Sequence, residues 1–387
     1  MKKNIETLFL LSPAFMVFAV IFNVPSTKFI VSRLTVLVCL YCLIFYRKAI
    51  GYNFENHRFK FFIKSSCAVI GYFTLLHIAR GDDFSFARSL LVTTLYLAMV
   101  PWNKIDKKIF VYLILGSALV NSGWSIYEHF TLGHGRVGKS VNPIPYALYC
   151  VSMLLCCVYV LRTVLLPVYV KIVAVIASLG CTYALLLTDV RGVWLALPFA
   201  LLPLFITKVS FNGVTKKNVI SLTLAVVVFV GIASTNTVQE RWERTTQEFH
   251  RISQGDYRTS IGIRLTLWKN SVEMMKAGPI IGIGSDELRN RLDNITDKWA
   301  RGFAHLHNQY LQILVESGLL GLLIVIVWLA SSMVRFNRHG LDFIYHSLCC
   351  SILVLFSIAS LTDVPFMHGH IVYLISLLLG GALLLDK

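Results

Sequence analysis

The sequence predicts an all-α polytopic membrane protein of about twelve transmembrane helices with one long polar loop. Three observations predict it. The 387 residues are 56% hydrophobic and only 14% charged, where a soluble domain carries roughly 25% charged residues. The deficit extends along nearly the whole chain, with a mean hydropathy of +0.68, and apolar runs close to the roughly 20 residues that cross a bilayer recur from end to end. The net charge of +16 comes from basic residues that lie mostly between those runs. That distribution reads as a topology signal rather than a nucleic-acid footprint, and no RNA- or DNA-binding motif accompanies it.

The runs are 7–24, 29–46, 61–79, 86–101, 109–128, 143–162, 165–187, 192–207, 218–235, 309–334, 343–361 and 369–385. The fourth and eighth are short, which suits a tilted helix or one extended by polar turns. No small-x-small cleavage site follows the first, so it reads as an uncleaved helix rather than a signal peptide. With the N-terminus inside, the short inside connections hold 17 Lys and Arg, and the outside ones only Lys28, Arg33, Arg80, Arg88, Arg136, Lys139 and Arg191. This is the bias expected of positive-inside insertion. The nine cysteines all lie in apolar runs. They read as small apolar filler, the Cys39/Cys42 pair included, so neither a disulfide nor a metal site is predicted.

One connection differs from the rest. The chain divides into helices 1–9 over 1–235, a polar loop over 236–306, and helices 10–12 over 307–387; parity puts the loop outside. Within it, Ile261, Leu265, Trp268, Val272 and Met275 recur at three- and four-residue spacing. That spacing predicts an amphipathic helix over 258–276 lying at the bilayer interface, stopped by Gly278-Pro279. A second short helix is expected over roughly 285–299, with Ser285 as its N-cap.

An ionisable group at membrane depth is costly and is a functional hypothesis by default. Candidates collect at the outer face. Arg191, in the tight turn Thr188-Asp189-Val190-Arg191-Gly192, suits an anion clamp, because a guanidinium matches phosphate oxygens bidentately; pairing with Asp189 or simple solvation is the plainer alternative. Arg264 either binds a lipid phosphate or snorkels from the interfacial helix. His307 lies where the loop enters the tenth run. An imidazole with an ordinary pKa near 6.5 suits a general base, and a helix N-terminus favours its neutral form; His305 is an equally good candidate on these grounds. Glu316, nine residues on, either pairs with a buried cation or makes a helix-packing polar contact. Arg80, Asp82, Asp83 and Arg88, then His134, Arg136 and Lys139, and Asp363 and His368 further along, can extend an anion-binding surface or meet headgroups. The stretch Gly278–Ser285 is glycine-rich but lacks the Gly-Lys-Ser/Thr of a P-loop. No DxD motif or carboxylate set on the outer face suggests a divalent ion.

His307-Asn308, nine further residues, then Gly318-Leu319-Leu320-Gly321 match the H-[NSQ]-x9-G-x-x-[GTY] pattern of the bacterial lipopolysaccharide O-antigen ligases. The loop before the tenth run, the Arg191-Gly192 pair and the Arg264-x-x-x-Trp268 pattern also resemble that family, which sits in a superfamily with O-antigen polymerases. The resemblance implies a GT-C-like architecture in the inner membrane and an inverting, metal-independent glycosyltransferase at the periplasmic face. The donor implied is undecaprenyl-pyrophosphate-linked O-antigen and the acceptor lipid A–core, with no cofactor and with membrane lipids as surroundings. His307 would be the general base, and Arg191 and Arg264 would bind the pyrophosphate. Arg80, Arg136, Lys139, His305, Asn308, Tyr310 and Glu316 are further candidates for the site. A polymerase with the same donor is the closest alternative, and a lipid or solute transporter is a more distant one.

Overall fold

The computed structural model describes residues 2–163, 166–205, 236–337, 340–343 and 346–385. In chain order the principal helices are α1 (Lys2–Phe15, continued as a π turn to Val20), α2 (Lys28–Phe45), α3 (His57–Arg80) and α4 (Ser85–Met99). Then come α5 (Lys107–Ile126), α6 (Pro143–Thr163), α7 (Val168–Thr188) and α8 (Arg191–Phe205). The polar segment contains α9 (Asn236–Ser253), α10 (Ser260–Ala277) and α11 (Ser285–Asp293). The chain closes with α12 (Gln309–Ala330), α13 (Ser347–Ala359) and α14 (Gly369–Leu385).

Among the described residues, six helices are long and apolar enough to cross a membrane, and five shorter apolar helices accompany them. Together they occupy eleven of the twelve predicted runs, so the chain has the character of a multi-pass membrane protein. The ninth run, 218–235, lies outside the described residues. Local chemistry sets several ends. Asn56 accepts hydrogen bonds from the Arg58 and Phe59 amides at the start of α3, and Gly81 at φ +77° closes it, as a left-handed C-cap does.

The core sits on α6, the most enclosed of the spanning helices. Its Tyr149 ring stacks on Phe22 with centroids 4.4 Å apart, and the Tyr149 hydroxyl donates to the Phe18 carbonyl at 2.5 Å. Helix α7 turns Ala174, Ala177, Cys181 and Ala184 inward. Small residues there let backbones approach closely, which is how helices gain contact in lipid.

Three expectations need correction. The tenth run does not continue to 334: α12 stops at Ala330, and short strands β1 (Val334–Asn337) and β2 (Gly340–Phe343) pair antiparallel after it, with Val334 opposite Phe343. Apart from this short hairpin, the regular elements of the described residues are helical. Helix α10 exists, but it also buries a second face, Gly262, Thr266, Leu267, Ser271 and Met274, beside the predicted stripe, whose Leu265 and Val272 are exposed. The reason is a small core that the sequence reading did not anticipate: Leu267 and Met274 pack with Leu288, Leu292, Ile295, Ala300, Leu306 and Val315. The polar segment thus folds on itself over the head of α12. Finally, α11 ends at Asp293 and its N-cap is Gly284, not Ser285. Asp82 from the α3–α4 turn accepts the Ser285 amide at 3.1 Å, a carboxylate at a helix N-terminus where the dipole favours it.

Candidate functional site

Helix α12 is broken inside its span. Gly318 has φ +70° and ψ −172°, a conformation essentially restricted to glycine. A break frees backbone groups that lipid cannot satisfy, and the glycine-rich stretch before α11 satisfies them. The Ile283 and Gly284 amides donate to the Val315 and Glu316 carbonyls at 2.8 and 3.0 Å, and the Leu319 and Leu320 amides donate to the Pro279 and Ile280 carbonyls at 3.0 and 3.1 Å. A Cβ on Gly318 would overlap the Ile280 carbonyl, and one on Gly282 the Glu316 carbonyl. Arg80 completes the joint. It donates to the carbonyls of Ile281 (3.1 Å), Gly282 (2.9 Å) and Glu316 (3.0 Å) while paired to Asp82 at 2.6 Å. Tyr72 donates to the Ser317 carbonyl at 2.7 Å. Arg80 therefore holds the broken helix to its partner loop, a use the sequence reading did not foresee.

The break fixes what precedes it. Asn308 caps α12, its Oδ1 accepting from the Tyr310 and Leu311 amides at 3.0 and 3.1 Å and its Nδ2 donating to the Leu361 carbonyl at 3.3 Å. Tyr310 donates from its hydroxyl to the Ser357 carbonyl at 2.9 Å. Both residues act as scaffold, tying α12 to α13 and to the α13–α14 turn. His307 then sits at φ +50°, a strained left-handed backbone for a residue with a Cβ. Its ring lies edge-on to His305, with centroids 4.2 Å apart, and its Nδ1 is 3.9 Å from Asp363 Oδ1, too long for a hydrogen bond. His307 Nδ1 and Asp363 Oδ2 are buried without a hydrogen-bond partner among the described residues. Buried polar atoms left in that state call for an explanation.

The Arg-x-x-x-Trp pattern has a geometric reason. Trp268 donates its indole N–H to the Leu306 carbonyl at 2.9 Å, between the two histidines. Arg264 lies one turn away on the same face of α10 and is carried to the same place, within the field of Asp363, Glu248 and Arg191. Arg191 opens α8. Its Nη1 donates to Thr245 Oγ1 at 2.7 Å and to Glu248 Oε1 at 3.2 Å, while Glu248 Oε2 accepts the Ile261 amide at 3.0 Å. Glu248 therefore couples Arg191 to the helix that bears Arg264. A Cβ on Gly192 would collide with the Thr362 side chain, so that glycine permits α8 to abut the turn holding Asp363.

Arg191, Arg264, His305, His307 and Asp363 come together from four separate stretches of chain. His368 also lies within reach of Asp363 and His305. The remaining candidates have the following surroundings. Arg136 donates from Nε to the Thr188 carbonyl at 2.5 Å, closing the C-terminus of α7. Lys139 and Arg88 are exposed. Glu316 accepts from Gln312 at 2.7 Å, inside the break. Thr245 and Glu248 were missed in the sequence reading, because α9 reads there as a charged solvated helix and nothing in its spacing marks a partner for Arg191.

Burial, the larger cause, and the adjacent His305 imidazole push the His307 pKa down to about 4, with Asp363 acting upward. Burial likewise lowers His305 and Arg264. His307 is thus neutral at neutral pH, with Asp363 placed to steady a positive charge once the ring takes a proton. The proton-accepting form is lost only as pH falls through about 4. Activity carried by this imidazole is expected to hold from pH 7 down to about 5 and to drop below that; an acid limb centred at the ordinary 6.5 would contradict it. Two imidazoles and a carboxylate whose ligand atoms lie within 4.8 Å of one another are also a donor set that a divalent ion can use.

Residues 173–326 match the family model described as O-Antigen ligase. Arg191, Arg264, His307, Gly318 and Gly321 fall inside that match, while Arg80 and Asp363 fall outside it. An uncharacterized protein of Haemophilus influenzae is 26% identical over 259 residues, covering 62% of this chain and 63% of that protein. The chain therefore spans somewhat less than two thirds of that relative's length.

Proposed function

We propose, from the match of residues 173–326 to the O-antigen ligase family model, that the chain is an inverting, metal-independent glycosyltransferase of the inner membrane. It moves O-antigen from undecaprenyl pyrophosphate to lipid A–core at the periplasmic face, within a twelve-span, GT-C-like bundle. The observation that carries the reading is the His307–Asp363 pair at the head of a broken helix, with Arg264 in its field and Arg191 tied through Glu248 to the helix that bears Arg264.

In this mechanism an acceptor hydroxyl gives its proton to His307 as its oxygen attacks the anomeric carbon. The bond from that carbon to the phosphate oxygen breaks, and its electron pair leaves with undecaprenyl pyrophosphate. Attack from the opposite face inverts the configuration. Arg191 and Arg264 meet the charge that grows on the leaving phosphate, an electrostatic contribution usually among the largest in catalysis. Asp363 is a positioning residue that offsets the charge gained by His307.

Lysine keeps the charge but loses the planar fork. Arg264→Lys and Arg191→Lys are therefore each expected to reduce turnover of the lipid-linked donor by roughly tenfold or more, the loss of a charge-assisted hydrogen bond being about 1.5–3 kcal/mol. Undiminished turnover in both would remove the guanidiniums from the reaction.

The reading is tested by mixing purified protein with lipid-linked O-antigen and lipid A–core in EDTA, without nucleotide. Transfer to the core is expected. Elongation of the lipid-linked chain instead would make the protein a polymerase. Transfer lost in EDTA and restored by zinc would turn the two histidines and Asp363 into a metal centre, against the proposal. Absence of any transfer with or without metal would end the glycosyltransferase reading.

A further inference from the structure

A cavity of about 330 Å³ opens between the α3–α4 turn, the start of α11, the break in α12 and the α13–α14 turn. It adjoins the histidine segment without containing the histidines themselves. Ala304 and Gln309, which bracket that segment, line it, as do Phe366 and Met367, which follow Asp363. Its volume is at the lower end of the range for small-molecule sites.

The lining has two chemistries. One wall is aromatic: Phe86 stacks on Phe366 with centroids 5.8 Å apart and planes 19° apart, and Phe73 meets Phe86 edge-on at 5.1 Å. The other wall is polar. Gln309 is only 4% exposed. Its Oε1 is held by the Phe366 amide at 2.8 Å, which fixes the carboxamide, and its Nε2 makes no hydrogen bond among the described residues. Glu316 is held through one oxygen by Gln312, and Asp286 is exposed at the mouth. Asp82 is neutralised by Arg80, and Arg289 is the one remaining cationic side chain among the lining residues.

An aromatic lining together with fixed carboxyl and amide groups suits a sugar ring, whose C–H face packs on aromatics while its hydroxyls bond at the edge. The exposed carboxylates of Asp83 and Asp286 disfavour phosphate at this end of the site, whereas the arginine side attracts it. We propose that this cavity is a glycan subsite for the acceptor, holding an uncharged or amine-bearing sugar beside the one that reacts at His307. The assignment to the acceptor rests on the glycosyltransferase reading; the affinity for glycan does not. The protein would then sort its substrates by charge, with pyrophosphate toward Arg191 and Arg264 and polyol toward Gln309, Glu316 and Asp286.

The test uses the full chain in lipid nanodiscs, with deacylated lipopolysaccharide core oligosaccharide as the probe, read by saturation-transfer NMR. Undecaprenyl pyrophosphate binding serves as the control for folding. The wild-type protein is expected to bind the oligosaccharide. Ala304→Trp, which fills the cavity, and Asp286→Lys, which inverts the charge at its mouth, are each expected to weaken that binding at least tenfold while undecaprenyl pyrophosphate still binds. No binding by the wild type, or unchanged binding in both variants, overturns the proposal. Oligosaccharide binding of the expected kind in a protein that transfers nothing would keep the glycan subsite and sink the transferase reading. Transfer with an unchanged acceptor KM in both variants would do the reverse.

Discussion

Replacing His307 by alanine is expected to lower glycan transfer by about 10²–10⁴-fold, the usual contribution of a positioned general base, with the protein still inserted and still able to bind donor. The imidazole is fixed by a strained backbone at φ +50°, faces a buried carboxylate oxygen 3.9 Å away, and is kept neutral by burial. None of the bonds that hold α12 to its partner loop passes through this side chain; those belong to Arg80 and the glycine-rich stretch. The backbone amide of His307 does meet His305 Nδ1 at 3.3 Å, so His305→Ala is expected to have a smaller effect that acts through placement. Equal losses in the two variants would show that the pair acts as a unit, and full activity in His307→Ala would dismiss it as the base. The measurement is lipopolysaccharide capping by gel, alongside membrane fractionation.

The largest expected effect on stability lies at Gly318. A side chain there meets two obstacles. The backbone region is one that residues with a Cβ adopt at about 1–3 kcal/mol, and the added carbon would overlap the Ile280 carbonyl. Because that neighbour is backbone in a loop bonded at both ends to α12, it has little room to yield. Gly318→Val is expected to cost more than about 3 kcal/mol in all, seen as loss of detergent-solubilised protein and a lower unfolding temperature. Gly321→Ala is the comparison: a Cβ there meets the Ser317 hydroxyl and Tyr72 side chain rather than backbone, so it should be milder. Equal stability of wild type and Gly318→Val would mean that the break in α12 is not built as described.

Apolar length made eleven spanning or near-spanning helices readable, because lipid demands long runs of nonpolar side chains whatever packs against them. The pattern around His307 was readable only as a resemblance to a family motif; that Asn308 caps α12 and Gly318 breaks it emerges from the backbone geometry. What the sequence did not disclose was pairing at a distance. Arg80 read as an anion ligand because its charge is visible, whereas its acceptors are carbonyls of Ile281, Gly282 and Glu316, which have no signature. The second, buried face of α10 went unread because Leu267 and Met274 find a core made by α11 and by Leu306, and helical spacing alone cannot tell such a face from one that rests on lipid. Glu248 went unnoticed for the same reason, as a carboxylate in a charged helix whose partner lies on α8.

The division of labour between the arginines and the histidine is the central claim, and binding of undecaprenyl pyrophosphate tests it most directly. With wild-type protein, Arg191→Ala, Arg264→Ala and His307→Ala in identical nanodiscs, donor affinity is expected to fall at least tenfold in each arginine variant and to stay at the wild-type level in His307→Ala. Normal donor affinity in both arginine variants, or a loss in His307→Ala as large as theirs, would contradict the account.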